Sequence, residues 1–298
     1  MDARREDPLE RLLSLRLHQQ DGRRSPHKPL LALLAVSRLL QTGASALPWS
    51  EAEDRLASLL EDFGPPSKTG RAQSAAYPFT RLRSDGVWEL DAEVPMDNVG
   101  PLRAHQPTGR FTSSVEAALL SDPERALDTA RILASSHFPE SLVPDVLLAT
   151  GFDTELVLRG EGPVAGPRRR SAAWSTWIIE AWDRQCAFCG FDGQLGSGAV
   201  GLEAAHVRWF SYGGPDDADN GLALCSLHHK LFDRGVLGLD ANLRVLVSGR
   251  YTARTEAGKA VYALNGRAVS RRPGTPAPAL EHVSWHSAQV FKGEPLPL

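Results

Sequence analysis

The chain has very few cysteines. There are three among 298 residues, Cys186, Cys189 and Cys225, and so small an odd number argues against a framework of disulfides. Secretory and membrane segments are also missing, because the N-terminus has no charged stretch followed by an apolar one, and no apolar run reaches the roughly 20 residues that cross a bilayer. We therefore expect a soluble, cytoplasmic protein with no membrane partner.

An excess of positive charge is absent as well. The chain carries 33 lysines and arginines against 36 aspartates and glutamates, a formal net charge of −3. It is not a polycation, so any surface for nucleic acid has to be a local basic patch on a mildly acidic body. Its length and its hydrophobic content of 42% are sufficient for two domains, each with a core of its own.

Helical patterns fill most of the first half of the chain. The segment HKPLLALLAVSRLLQTG has apolar residues around most of its circumference, which predicts a buried central helix over 27–43. In SEAEDRLASLLEDF, Ser50 and Glu53 have the spacing of a capping box, which predicts a helix that begins there. YPFTRLR and VWEL flank the turn sequence SDG and predict a β-hairpin. Further helices are expected over 8–20, 113–120, 122–135 and 143–150.

A segment rich in Gly, Pro and Arg interrupts these patterns. It has no apolar periodicity and predicts a linker at 161–171, between a first domain, 1–160, and a second, 172–298. The second domain begins with AAWSTWIIEAWDRQ, which predicts a helix that leads into the first cysteine pair. The expected fold class is therefore mixed, α+β, in two domains.

Two motifs in the second domain have the spacing of metal ligands. Cys186 and Cys189 form a C-x-x-C knuckle, and Cys225 and His228 repeat that separation about forty residues later. Four such ligands make a closed tetrahedral zinc site, and because no position is left for water, the zinc is expected to be structural. The alternative is a set of buried free thiols with a surface histidine, but the pattern uses every cysteine in the chain.

The segments around the second knuckle resemble the HNH endonucleases. LEAAHVRWFSYGGPDDADNGLALC and the following HHKLFD hold His206, Asn220 and His229 in the order of that family, and the resemblance covers about residues 175–240. It implies a ββα-metal fold in which His206 ends the first strand as the general base, Asn220 holds that histidine and its loop, and His229 binds the catalytic ion. Phosphodiester cleavage needs a base to activate water and a divalent cation to take up charge.

The adjacent histidines are expected to do two different jobs. Neighbouring residues on a helix point about 100° apart, so His228 can bind zinc while His229 faces the catalytic ion. One departure from the family pattern is Ala205, because many HNH nucleases have a metal-binding aspartate at that position. The ion, Mg²⁺ or Mn²⁺ or a similar cation, is expected to use Asp233, one helical turn after His229, or else Glu203. The alternative for Asp233 is a surface or capping carboxylate.

The first domain offers cations beside apolar residues. HKPLL and AYPF resemble the sulfur-binding domain of phosphorothioate-dependent restriction enzymes, which join such a domain to an HNH nuclease in this order. The resemblance implies that Tyr77 and Pro78 line an apolar pocket for the sulfur, and that His27 and Lys28 lie beside the DNA backbone. The further candidates for contact with DNA are Arg71, Arg81 and Arg110. Solvated surface is the alternative for each basic residue, and ordinary core for the aromatic ones.

Together these features predict a restriction endonuclease. It would recognise phosphorothioated double-stranded DNA through its first domain and hydrolyse it at a divalent-metal HNH site in the second. Cleavage of two strands with one site per chain favours a homodimer, although two successive nicks would serve. The alternatives are an HNH nuclease that reads unmodified or methylated DNA, and a zinc-braced DNA-binding protein that does not cleave.

Overall fold

The structure, a computed structural model, describes residues 7–17, 24–66, 74–158 and 171–297. The chain divides into two compact units, Met1–Gly166 and Pro167–Leu298. Both combine helices with small sheets, which confirms the predicted α+β class and the presence of two domains. The predicted linker lies outside the described residues except for its last residue, Ser171.

The described part of the first unit is mostly helical, with one small antiparallel sheet in the strand order β1-β3-β2. Its elements in chain order are α1 Pro8–Leu13, α2 His27–Thr42, β1 Leu47–Pro48, α3 Trp49–Phe63, α4 Ala76–Arg81, β2 Trp88–Leu90, α5 Val99–His105, β3 Thr108–Phe111, α6 Ser113–Ser121, α7 Pro123–His137, α8 Val143–Ala149 and α9 Thr154–Leu158.

Helix α2 is the buried centre of this unit, as predicted. Pro29 lies in its first turn, where the missing N–H has no intrahelical partner to lose, and the helix ends at Gly43, which adopts a left-handed φ of +78°. The seven side chains from Leu30 to Val36 are at most 1% exposed, and α3, α4, α6 and α7 all pack against the helix. No helix in the described ranges is long and apolar enough to cross a membrane.

The predicted β-hairpin around SDG is wrong. The segment YPFTRLR forms α4 and a following 3₁₀ turn, and β2 pairs with β3 instead, with Trp88 opposite Phe111. The aromatic residue that suggested a strand, Phe79, is fully buried, and its ring meets those of Trp49 and Trp88 edge to face at 5.1 and 5.9 Å. Tertiary packing of this ring therefore overrides the local strand propensity.

The predicted capping box is also wrong. Helix α3 begins at Trp49, so Ser50 already lies inside it and makes no side-chain cap, and the capping position belongs to Pro48. The fully buried Trp49 ring accounts for the earlier start, because it has to be inside the helix to reach the core. Glu53 instead accepts two hydrogen bonds from the guanidinium of Arg103.

The described part of the second unit has three two-stranded antiparallel sheets, β4-β5, β6-β7 and β8-β9. Its elements are α10 Ala172–Ala181, β4 Gln194–Leu195, β5 Gly198–Ala199, β6 Leu202–His206, β7 Gly221–Cys225, α11 Ser226–Asp233, β8 Leu237–Leu239, β9 Val245–Val247, α12 Glu256–Lys259 and α13 Leu280–Gln289. The hairpin β6-β7 followed directly by α11 is a ββα unit, the arrangement that the HNH resemblance implies.

Helix α10 covers the ends of this hairpin where the site is built. Gly221 begins β7 opposite His206, and a Cβ at Gly221 would lie 2.1 Å from Cδ1 of Ile178 on α10. Only glycine allows the helix to approach the strand this closely. The contact brings the first turn of α10 alongside His206.

The first unit contains a histidine that should make its stability sensitive to acid. Burial lowers the pKa of His137, the last residue of α7, to about 4. The unfolded chain takes up this proton near pH 6.5, so the free energy of unfolding should fall as the pH drops from about 6.5 to about 4. We expect His137→Gln to remove up to about 3 kcal/mol of that pH dependence.

The measurement is the urea midpoint of unfolding across this pH window. His105→Gln is the matched control, because His105 is an exposed histidine on α5. Equal acid sensitivity in wild type and His137→Gln would show that His137 does not carry the effect.

Candidate functional site

The four predicted zinc ligands come together in the second unit. Cys186 and Cys189 lie in a tight turn closed by Gly190, while Cys225 ends β7 and His228 lies in the first turn of α11. The four ligand atoms all lie within 4.8 Å of one another, and Nδ1 of His228 is 3.2 Å from Sγ of Cys225. Tetrahedral Zn–S bonds of about 2.3 Å place ligand atoms at such separations, so this group fits zinc.

The cluster favours a thiolate. A hydrogen bond with Cys225, helped by one with His228, lowers the pKa of Cys186 to about 3. The same shared proton raises the pKa of Cys225. Thiolate sulfur is the form that binds a metal ion, so the hydrogen bonds within the cluster favour Cys186 in the form of a metal ligand.

His206 is buried at the end of β6 between an aromatic ring and a carboxylate. Its ring stacks on that of Trp174 at 3.8 Å with 13° between the planes. Its Nε2 lies 2.8 Å from Oδ1 of Asp216, and its side chain is 1% exposed. Neither Trp174 nor Asp216 was predicted from the sequence, although the acidic pair in GGPDDADN was a signal that a carboxylate lies near the histidine.

Asn220 fastens the loop between β6 and β7. Its Oδ1 accepts a hydrogen bond from the backbone N–H of Arg208 at 2.8 Å, and its Nδ2 donates to the carbonyl oxygens of Arg208 and Pro215 at 3.0 and 2.9 Å. A Cβ at Gly214 would lie 1.8 Å from the Arg208 oxygen, so this loop needs glycine there. Asn220 thus bonds to both ends of the loop, while the carboxylate beside His206 comes from Asp216.

His229 lies between two carboxylates, away from the cysteines that His228 approaches. Its Nδ1 is 2.7 Å from Oε2 of Glu203, and its Nε2 is 3.1 Å from Oδ2 of Asp233. Burial alone would lower the pKa of His229, but the negative charges of Asp233 and Glu203 raise it to about 9. Conversely, the hydrogen bond with His229 lowers the pKa of Glu203.

The two carboxylates beside His229 differ in their access to solvent. The side chain of Asp233 is 1% exposed, and its other oxygen accepts a hydrogen bond from Nε1 of Trp209 at 2.9 Å. The side chain of Glu203 is 45% exposed and accepts a hydrogen bond from Ser226 through Oε1. Of the two alternatives for a ligand to the catalytic ion, Glu203 is the one that can reach an ion open to solvent.

In the first unit, four of the predicted contact residues lie in or beside α4. The rings of His27 and Tyr77 are 5.5 Å apart, edge to face, and the guanidinium carbon of Arg81 lies 5.4 Å from the Tyr77 centroid. Pro78 is buried in the same helix. Arg81 also forms a bidentate ion pair with Asp97, in which its Nε donates to Oδ1 at 3.0 Å and its Nη2 donates to Oδ2 at 2.6 Å. Burial raises the pKa of Tyr77.

Two further predicted contact residues, Lys28 and Arg110, pair with carboxylates of their own. Lys28 is buried, and its Nζ donates to Oδ2 of Asp85 at 2.6 Å and to a backbone carbonyl, so its position does not support a phosphate contact. Arg110 is exposed on β3 and pairs across the sheet with Glu89 at 2.8 Å. Arg71 lies outside the described residues.

Two family models match the chain. The model of the ScoMcrA-like DNA sulfur-binding domain matches residues 5–155, and that of the HNH endonuclease matches residues 186–240. No curated protein matches it.

Solved structures with similarity to the chain include three from related proteins. The sulfur binding domain of ScoMcrA complexed with phosphorothioated DNA is 23% identical, with a TM-score of 0.39, over 50% of this chain and 97% of that one. The SprMcrA counterpart is 23% identical, with a TM-score of 0.40, over 48% and 91%. The Type IV phosphorothioation-dependent restriction endonuclease ScoMcrA is 22% identical, with a TM-score of 0.41, over 68% and 41%. TM-scores this low say nothing about individual residues.

His228 lies beside the cysteines and His229 beside two carboxylates, so only His228 should affect zinc binding. We expect Cys225→Ser to lose zinc and to destabilise the second unit, because metal binding at such a site contributes directly to folding. His229→Ala should retain zinc, because its ring faces Glu203 and Asp233 instead of the cysteines. The measurement is the zinc content of each purified protein by mass spectrometry. A full equivalent of zinc in Cys225→Ser would contradict the ligand set.

Proposed function

Because the chain belongs to the ScoMcrA-like DNA sulfur-binding domain family and carries an HNH endonuclease domain, we propose that this DNA endonuclease cleaves phosphorothioate-modified DNA. The observation that carries the proposal is that a sulfur-binding domain and an HNH endonuclease domain occur in the same chain. The first domain belongs to a family of DNA sulfur-binding domains, which supports a phosphorothioated backbone as the target. In the second domain, the buried His206 lies beside the carboxylate of Asp216 at the end of the first strand of the ββα unit. A binding protein without cleavage would not need that arrangement.

For recognition, we propose that sulfur meets the ring of Tyr77 near His27. Sulfur is larger, more polarizable and less strongly hydrated than the oxygen it replaces, so contact with an apolar ring costs less desolvation and gains dispersion energy. Pro78, buried next to Tyr77, would fix the backbone that presents the ring. Arg81 lies over the same ring and would contact the phosphate. To do so it would exchange its ion pair with Asp97 for one with the phosphate.

For cleavage, we propose His206 as the general base. A carboxylate at its Nε2 favours a proton on that nitrogen, so the other nitrogen, Nδ1, would take the proton from the attacking water. Asn220 would keep the loop that carries Asp216 in place.

We propose that Glu203 and His229 hold the divalent ion, Mg²⁺ or Mn²⁺ or a similar cation. Such an ion, when bound, supplies positive charge that stabilises the developing charge on the phosphate and the leaving oxygen. Asp233 would act on His229 instead: it accepts from Nε2, and so directs Nδ1 towards Glu203. This assignment replaces the expectation that Asp233 binds the ion directly.

We also propose a structural zinc at the four-residue cluster and a homodimer on DNA. One active site per chain cuts one strand at a time, so cleavage of both strands is most direct with two copies related by symmetry. An HNH nuclease that reads unmodified or methylated DNA is the alternative, and the binding experiment below separates the two.

The ring of Tyr77 should carry the preference for sulfur. We expect Tyr77→Ala to lose most of the preference for phosphorothioated over unmodified duplex while keeping weak, salt-sensitive binding to both, because phosphate contacts do not depend on this ring. The measurement is a competition titration at fixed salt with Rp, Sp and unmodified duplexes of one sequence.

Two comparisons make this titration decisive. Tyr77→Phe keeps the ring and should keep most of the preference. The wild type should favour one stereoisomer, because the two non-bridging oxygens face different directions. Equal affinity of the wild type for all three duplexes would refute sulfur recognition.

Substitutions of the two carboxylates beside His229 should have different effects, one on Mn²⁺ binding and the other on stability. Glu203→Gln should weaken Mn²⁺ binding by at least about tenfold with little loss of stability, because it removes a half-exposed ligand. Asp233→Ala should destabilise the unit by about 1–3 kcal/mol, because it leaves the Trp209 indole N–H buried without its acceptor.

These effects are measured by electron paramagnetic resonance of free Mn²⁺ and by urea unfolding. Glu281→Gln, at a carboxylate that is 79% exposed on α13, is the control. Wild-type Mn²⁺ affinity in Glu203→Gln would exclude Glu203 as a ligand.

A further inference from the structure

We propose that Asp216 is a positioning residue for His206, and that the first turn of α10 holds both in place. The inference rests on the proposed role of His206 as the base and adds to it the groups that fix the orientation of its ring. These groups are Asp216, in the loop between His206 and Asn220, and the first turn of α10, and none of them is one of the three residues that define the HNH pattern.

The carboxylate of Asp216 connects His206 to the start of α10. One oxygen, Oδ1, lies 2.8 Å from Nε2 of His206, and the other, Oδ2, accepts a hydrogen bond from the backbone N–H of Ser171 at 3.0 Å. Ser171 is the N-cap of α10, and its hydroxyl accepts from the N–H of Trp174. Both oxygens of Asp216 therefore have fixed partners, so the carboxylate has little freedom to leave the histidine.

The same turn fixes the plane of the histidine ring. Trp174 lies face to face with His206 at 3.8 Å, and its indole Nε1 donates to the carbonyl oxygen of Asp217 at 3.0 Å. Asp217 directly follows Asp216, so this bond ties the loop to the helix a second time. The base is thus held from its edge by Asp216 and from its face by Trp174.

This arrangement selects one tautomer of His206. A carboxylate accepts hydrogen bonds and cannot donate one, so the proton of the neutral ring lies on Nε2 and the lone pair on Nδ1. The elements packed on the ring present few other charges. Helix α10 presents Trp174, β7 presents Gly221, and Arg208 in the loop directs its Nε to the carbonyl oxygen of Tyr212. Asp216 also favours the protonated ring after proton transfer, as an orienting carboxylate does in a catalytic triad.

The hydrogen bond between Ser171 and Asp216 lies where the chain enters the second domain. Ser171 is the last residue of the predicted linker, so the chain from the first domain enters the second domain two hydrogen bonds from the proposed base.

The first test removes the charge of Asp216. Asp216→Asn should lower the single-turnover rate of cleavage by about 10–100-fold at saturating Mn²⁺, while zinc content, Mn²⁺ affinity and DNA affinity stay those of the wild type. The acid limb of its pH–rate profile should move to lower pH, because the protonated histidine loses its partner. A role confined to folding would lower the active fraction and leave the acid limb where it is.

The second test removes the donor to Asp216 and leaves its carboxylate. Ser171 has a φ of −79°, close to the value that proline imposes, so Ser171→Pro deletes the N–H with little change in backbone conformation. Ser171→Ala loses the same hydroxyl cap and keeps the N–H. We expect the cleavage rate of Ser171→Pro to fall several-fold below that of Ser171→Ala.

The outcomes separate this inference from the proposed function. His206→Ala should abolish cleavage of phosphorothioated DNA, and wild-type cleavage by that variant would overturn the role of His206 itself. If His206→Ala is inactive but Asp216→Asn cleaves within threefold of the wild type with an unchanged acid limb, the positioning role of Asp216 is wrong. Equal cleavage rates for Ser171→Pro and Ser171→Ala would show that the N–H at the start of α10 does not help to position Asp216.

Discussion

The clustering of Cys186, Cys189, Cys225 and His228 is the constraint on which the geometry of the second unit depends. Cys225 ends β7 and His228 lies in the first turn of α11, so a metal ion held by both would fix the helix against the strand. Because the next residue on the helix points elsewhere, that anchor also sets where His229 meets Glu203 and Asp233. The position of His229 thus depends on the neighbouring cluster of cysteines and His228.

The sequence predicted the parts of this site that depend on short spacing. The two knuckles follow from residue spacing alone. The strand that ends at His206 and the helix that carries His228 and His229 were expected from the resemblance to the HNH endonucleases. The carboxylates were harder. Asp216 reaches His206 from a loop ten positions away, and whether Glu203 or Asp233 faces solvent depends on Trp209, which no spacing reveals. In the first unit, the run around Phe79 fits strand and helix equally well by composition, and only its burial between two tryptophans decides.

The first unit pairs its exposed arginines with carboxylates. Arg81 with Asp97, Arg103 with Glu53, and Arg110 with Glu89 are ion pairs at the surface, in keeping with the net charge of −3. Exposed pairs of this kind contribute only about 0–1 kcal/mol, so a DNA phosphate can replace the carboxylate at low cost. Phosphate contacts are alike on ordinary and on phosphorothioated DNA, so the proposal assigns the discrimination to the apolar contact at Tyr77.

The central claim is that cleavage requires the sulfur in the DNA backbone, and one cleavage assay tests it directly. The substrate is a duplex of a single sequence prepared unmodified, with an Rp phosphorothioate, and with an Sp phosphorothioate, incubated with the wild type and Mn²⁺. The account predicts that one stereoisomer is cut and that the unmodified duplex stays intact under the same conditions. Equal cutting of the unmodified and both modified duplexes would contradict it.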